Sequence, residues 1–91
     1  MNSKEILKSE GFANVYEWHD EPNVEYSKHE HKGKVTIFVI KGDVTFIFKN
    51  GEEKIICSGE RLDVPIGIEH SAIIGPKGCD YVVGEMIKGD S

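Results

Sequence analysis

His29-Glu30-His31 and, further along, Gly59-Glu60-Arg61-Leu62-Asp63-Val64-Pro65-Ile66-Gly67-Ile68-Glu69-His70 are the stretches whose reading decides the fold. His29 and His31 stand two apart, so on a strand both imidazoles project from one face. His70 follows a Pro-x-Gly turn and opens another apolar stretch. Three imidazoles carried on two strands can meet at one ion. The pattern points to a divalent metal site inside a small β-barrel.

On either side of these clusters the chain reads as short strands. Val15–Trp18 is short and aromatic, and Val24–His31 is polar but alternating. Val35–Lys41 and Val44–Lys49 are rich in β-branched and aromatic residues, with a turn expected at Gly42-Asp43 between them. Asn50-Gly51 is a type I′ hairpin signal leading into Lys54–Cys57. Ser58-Gly59 breaks the chain before Arg61–Val64. His70–Ile74, a loop at Gly75–Gly78, and a last strand at Tyr81–Ile87 follow. Residues 3–10 form the one expected helix, capped by Asn2 or Ser3, edged by Ile6 and Leu7, and ended by Gly11. Short strands punctuated by Gly, Asn and Pro indicate an all-β sandwich or barrel. The ten glycines suit that many tight turns. Ile37 and Val39 face one way and Phe38 and Ile40 the other, so this strand must be covered on both sides. The second cover is expected to be another copy of the chain, a homodimer.

At 91 residues the chain is one domain, 1–91, with the helix at about 3–10 and the barrel at about 14–88. The net charge is −5, from 16 acidic and 11 basic residues, and the basic ones are scattered singly. That argues against nucleic acid, whose phosphates require a basic patch. There is no long apolar stretch near the N-terminus, and Ile37–Ile40 is far too short to span a bilayer. The expectation is a cytoplasmic protein with no membrane partner. Cys57 and Cys79 are too few for a disulfide framework and read as a buried hydrophobe and a loop thiol.

The spacing of the two clusters resembles that of the cupins. Their first motif is Gly-x5-His-x-His-x3 or x4-Glu-x6-Gly, and His29, His31 and Gly42 fall at those positions. Their second is Gly-x5-Pro-x-Gly-x2-His-x3-Asn, matched by Gly59, Pro65, Gly67 and His70. The likeness covers residues 23–74 and implies a double-stranded β-helix, or jelly-roll, barrel. Three positions depart: Asn23 replaces the opening glycine, Val35 the glutamate and Ile74 the final asparagine. The resemblance therefore implies a metal held by His29, His31 and His70 alone. Imidazole suits Fe, Zn, Ni, Mn or Cu rather than Mg or Ca. Three protein ligands leave open positions, as in catalytic sites. Val35, Ile37, Ala72 and Ile74 are expected to line the pocket.

Without the glutamate, a divalent ion on three neutral imidazoles keeps its full double charge. Its reduction potential should rise, and an anionic, chelating ligand should be favoured. Cupin dioxygenases with three histidines are known, so the resemblance implies a dioxygenase or isomerase acting on a small anionic organic molecule. The alternative is a non-catalytic module that binds a metabolite or metal. Other polar residues read as follows. His19 lies in an exposed loop. Glu30 and Glu69 point outward by alternation. Tyr26, three before His29, takes the opposite face. Tyr16 and Trp18 are packing or interface residues, and Arg61 lies at the surface or rim. For Glu85 the reading stays open, because a bulge at Gly84 would shift the register of the last strand: either it faces inward as a replacement ligand or base, or a water fills the position of the missing glutamate.

Overall fold

The computed structural model describes residues 2–30 and 33–86. Among these residues there are one helix and six strands, in the order α1 (Ser3–Ser9), β1 (Asn14–Asp20), β2 (Glu25–His29), β3 (Val35–Phe48), β4 (Glu53–Cys57), β5 (Arg61–Val64) and β6 (His70–Glu85). The framework is the pair β3 and β6, antiparallel along their whole length. The first half of β3 pairs with the second half of β6, flanked by β1 and β5. The second half of β3 pairs with the first half of β6, flanked by β2 and β4. The long pair therefore contributes to two faces that close on each other. Val35, Val39 and Val83 from one face pack with Val44, Phe46 and Ile74 from the other. This is the expected all-β jelly-roll barrel.

Two expected breaks are instead bends within single strands. Gly42-Asp43 does not reverse the chain, because both halves of β3 keep β6 as their partner. Gly42 (φ +83) and Gly78 (φ +78) face each other there, and a Cβ on Gly42 would run into the Gly78 carbonyl oxygen. Gly75 to Gly78, expected as a loop, forms a local bulge in β6 opposite Asp43, between the Val44–Ile74 and Gly42–Cys79 pairs. The bulge lets the ladder continue through the bend. Asn23 sits at φ +64, the left-handed conformation a glycine would adopt with least strain, and its N–H donates to the Gly75 carbonyl at 3.2 Å.

The Asn50-Gly51 hairpin forms with a different turn. Of the two, only Gly51 has positive φ, +88. The loop is closed by Phe48 N–H on the Glu52 carbonyl (2.8 Å) and Gly51 N–H on the Phe48 carbonyl (2.9 Å). That is a three-residue loop with glycine in the left-handed position, not type I′.

The helix begins where Asn2 accepts a hydrogen bond from Glu5 N–H at 2.9 Å. Leu7 is fully buried with Phe12 and Val82, and Phe38 packs against them. The helix therefore covers the outer side of β3 at Phe38, the side expected to be covered by a second subunit. Ile40, beyond its reach, is 46% exposed. Gly84 marks no bulge: Asn14–Glu85 and Val15–Gly84 follow in unbroken register. A Cβ at Gly84 would lie 3.0–3.2 Å from Phe12 and Leu7, so its role is to seat the helix. Among the described residues no helix is long and apolar enough to cross a membrane.

Candidate metal and ligand pocket

Between the two faces lies a cavity of about 490 Å³. Its apolar walls include Val35 and Ile37 from one face and Ala72 and Ile74 from the other. Its polar groups come from β1, β2 and both ends of β6. None of the described lining residues is Lys or Arg.

His29 and His70 are direct cross-strand partners on β2 and β6. Their ring centroids stand 4.5 Å apart, tilted by 59°. His29 Nδ1 lies 2.8 Å from the Ser27 carbonyl oxygen, and His70 Nδ1 lies 3.1 Å from that of Ile68. A carbonyl only accepts, so each Nδ1 carries a proton, and in the neutral ring the lone pair is then on Nε2. Such anchoring sets the tautomer and ring orientation that a metal ligand needs. His70 is only 2% exposed, with Phe46 and Phe48 against its ring. Burial pushes its pKa down, and His29 adds to this, while the Ile68 carbonyl opposes them. A neutral imidazole is thereby favoured. His31, the third expected ligand, lies outside the described residues. Among the described residues no three His, Cys, Asp or Glu side chains gather closely enough to hold a metal. The donors present fit such an ion as imidazoles oriented by their carbonyl partners.

Tyr26 and His29 both line the cavity, so they do not take opposite faces. The register of β2 shifts between them, and that irregularity breaks the alternation. Glu30 is exposed, as alternation implied.

Glu85 faces inward and is 5% exposed. It forms one cross-strand row with Asn14 and Val35, directly beside the position where the motif lacks its glutamate. Asn14 Nδ2 donates to its Oε1 at 3.0 Å and the Tyr16 hydroxyl to its Oε2 at 3.3 Å. Burial, and then Glu85, raise the Tyr16 pKa. The doubly charged pocket expected from Val35 is therefore not devoid of a carboxylate: one enters from the neighbouring strand.

A second buried carboxylate, Asp20, had no functional place in the sequence reading. It is 7% exposed at the end of β1. Tyr81 donates to Oδ2 at 2.6 Å, Tyr26 to both oxygens at 2.8 Å, and Trp18 Nε1 to Oδ1 at 3.0 Å. The Tyr81 pKa is driven upward by burial and then by Asp20. The available signal was Trp18-x-Asp20, two residues on one strand face. Tyr16 and Trp18 both line the cavity; Tyr16 also packs against the core, whereas Trp18 is exposed. His19 lies in β1, not a loop, and its exposed ring pairs with Asp80 and Glu21, chiefly Asp80, which raises its pKa.

Arg61 is not among the residues lining the cavity. It holds Glu10 through two hydrogen bonds, at 2.7 and 3.0 Å, and Asp63 at 2.8 Å, tying the end of α1 to β5. Both cysteines are free, and their expected places are reversed: Cys57 is exposed, while Cys79 is buried within β6 with its thiol pKa pushed up by burial to about 11.

No family model matches the chain, and no curated protein matches it in sequence. Solved structures match its shape. A protein from Neisseria meningitidis superposes with a TM-score of 0.71 at 26% identity, covering 85% of this chain and 75% of that one. A conserved protein with a double-stranded β-helix domain from Klebsiella pneumoniae gives 0.70 at 27%, covering 89% and 74%. A cupin-2 domain containing protein from Shewanella frigidimarina gives 0.66 at 21%, covering 76% and 65%. In fold the chain is similar to these double-stranded β-helix proteins, a cupin-2 domain containing protein among them.

Proposed function

We propose that the chain binds a divalent transition metal through His29, His31 and His70 and holds a small organic molecule in the adjoining cavity. The observation that carries this is the His29–His70 pair: two imidazoles 4.5 Å apart, both with Nδ1 anchored on a carbonyl. That arrangement fixes the tautomer in which Nε2 of the neutral ring carries the lone pair an ion requires. Fe, Zn, Ni, Mn and Cu all accept such donors. When bound, the ion would supply Lewis acidity or oxygen activation to a dioxygenase or isomerase.

The rest of the pocket supports a small ligand with an anionic group at the histidines. A cavity of about 490 Å³ suits a small metabolite. Its described lining offers no cationic side chain. The Tyr26 and Tyr81 hydroxyls and the Trp18 N–H point their hydrogens at Asp20, and Tyr16 points its own at Glu85. An anionic group would thus find its attraction at the ion, while the apolar walls exclude water. A non-catalytic binding module is the second reading, favoured by Val35 and Ile74 at two motif positions where the family has polar groups.

Metal per chain, measured by elemental analysis of the purified protein after supplementation, tests the site. Near-stoichiometric metal that falls sharply in His29→Ala and His70→Ala is expected. A wild-type protein that takes up none would end the proposal. Metal retained without oxygen uptake or turnover on small diketones, thiols or aromatic acids would select the binding module.

A further inference from the structure

We propose that Glu85 supplies, from the strand next to Val35, the negative charge that the first histidine motif has lost, acting on the bound cation from outside its coordination shell. This rests on the metal reading above. Val35 and Glu85 are direct cross-strand partners on β3 and β6, and both line the cavity that holds His29 and His70. Paired residues of this kind project from the same face about 5 Å apart, so a carboxylate moved from one to the other stays at the same end of the pocket. Glu85 is 5% exposed and its two donors, Asn14 and Tyr16, are neutral. A buried carboxylate needs more than neutral donors to balance its lost hydration, and an opposite charge nearby is the usual remedy. The described lining contains no Lys or Arg, so a cation at the histidines is the counter-charge the cavity can accept. Glu85 does not gather with His29 and His70 into a ligand set, which places its action outside the coordination shell. Asn14 and Tyr16 each occupy one oxygen and hold the carboxylate in place. Aspartate at 85 would be too short to keep both donors, whereas glutamine keeps the shape and removes only the charge.

The test is a cobalt(II) titration of the full chain, followed by its visible absorption, for the wild type, Glu85→Gln and the double variant Val35→Glu/Glu85→Gln. Melting of each metal-free protein is recorded in parallel. Glu85→Gln is expected to weaken cobalt binding by about tenfold or more, the scale seen when groups just beyond the ligands are removed. Its absorption bands should keep the wild-type form, because no ligand has changed. The double variant is expected to recover most of the affinity with altered bands, since its carboxylate can reach the ion directly. Affinity in Glu85→Gln within about twofold of wild type would overturn the proposal, whatever its melting temperature. Altered bands in that single variant would overturn the placement outside the coordination shell. If Glu85→Gln folds poorly, failure of the double variant to regain affinity overturns the proposal and recovery supports it. A wild-type chain that binds no cobalt would overturn the metal reading itself, an outcome distinct from loss of the Glu85 effect in a loaded protein.

Discussion

Replacing Gly42 by alanine should destabilise the protein far more than the same change at Gly51, although the two glycines share left-handed angles of +83 and +88. At Gly51 a Cβ meets nothing within 4 Å, so only the backbone strain acts. That strain is about 1–2 kcal/mol for an L-residue, offset by roughly 0.4–1 kcal/mol because alanine restricts the unfolded chain. The net loss at Gly51 should be about 1 kcal/mol. At Gly42 a Cβ would also collide with the Gly78 carbonyl oxygen and lie 3.0 Å from its carbon and 3.1 Å from the Cys79 Cα. These are backbone atoms at the bend of β3 and β6 and cannot swing aside as a side chain would. Overpacking of this kind adds about 1–3 kcal/mol, for a total near 2–4 kcal/mol. Metal-free denaturant titration of both variants, with slopes checked for two-state behaviour, measures the difference. Thermal melts should show a drop of about 4–8 °C at Gly51 and at least about twice that at Gly42. Losses equal within about 0.5 kcal/mol would refute the claim that the close approach of Gly42 and Gly78 holds the bend.

Further outcomes follow from the pocket and its surroundings. Burial depresses the His70 pKa below its usual 6.5, so the unfolded chain binds a proton there that the folded one resists. Metal-free stability should therefore be fully present above pH 6.5 and fall as pH drops through the folded pKa, and His70→Leu should remove that part of the slope. A wild-type slope unchanged in the variant would exclude His70 as its source. Asp20→Asn would set amide hydrogens against the donors from Tyr81, Tyr26 and Trp18, and should cost about 1–3 kcal/mol. Because Trp18 is the only tryptophan, its fluorescence reports this directly, and an unshifted spectrum would deny the Trp18–Asp20 contact. If the chain forms a homodimer, the outer row Ile55–Thr45–Ile73 is a candidate contact, its isoleucines 62% and 38% exposed. Sedimentation should then show a dimer at micromolar concentration that Ile55→Lys dissociates; a monomer would leave that row without this role.

Legibility in the sequence followed the range of the physical effect. The spaced glycines, Pro65 and the histidines mark local needs: left-handed backbone at 42, 59 and 67, a turn before His70, and imidazoles on strands. Such needs are met within a few residues and leave a pattern. Gly42-Asp43 and Gly75–Gly78 look like strand ends in the sequence because local punctuation does not distinguish a reversal from a bend. That choice depends on whether both sides keep the same partner, and β6 is far away in the chain. The cover over Phe38 was likewise undecidable locally, since Leu7 and Phe12 reach it only after the barrel has closed. Strict alternation puts Tyr26 on the wrong face because the irregularity between it and His29 arises in the ladder with β6.

For the site, His29 and His70 are marked by their spacing, and the missing carboxylate at Val35 by the resemblance to the cupin motif. Spacing works there because side-chain direction alternates along any strand, whatever its partner. What stands beside Val35 was for the tertiary structure to decide. Glu85 lies fifty positions further along and becomes its neighbour only through the register of β3 with β6, which also brings in Asn14 and Tyr16 through β1. The sequence by itself determined an all-β chain and two clusters of histidines, because those are written in local periodicity, and the spacing of the clusters carried the resemblance that implied a barrel. The pairing of distant strands, a property of the closed sheet and its packing, decided that the pocket retains a carboxylate.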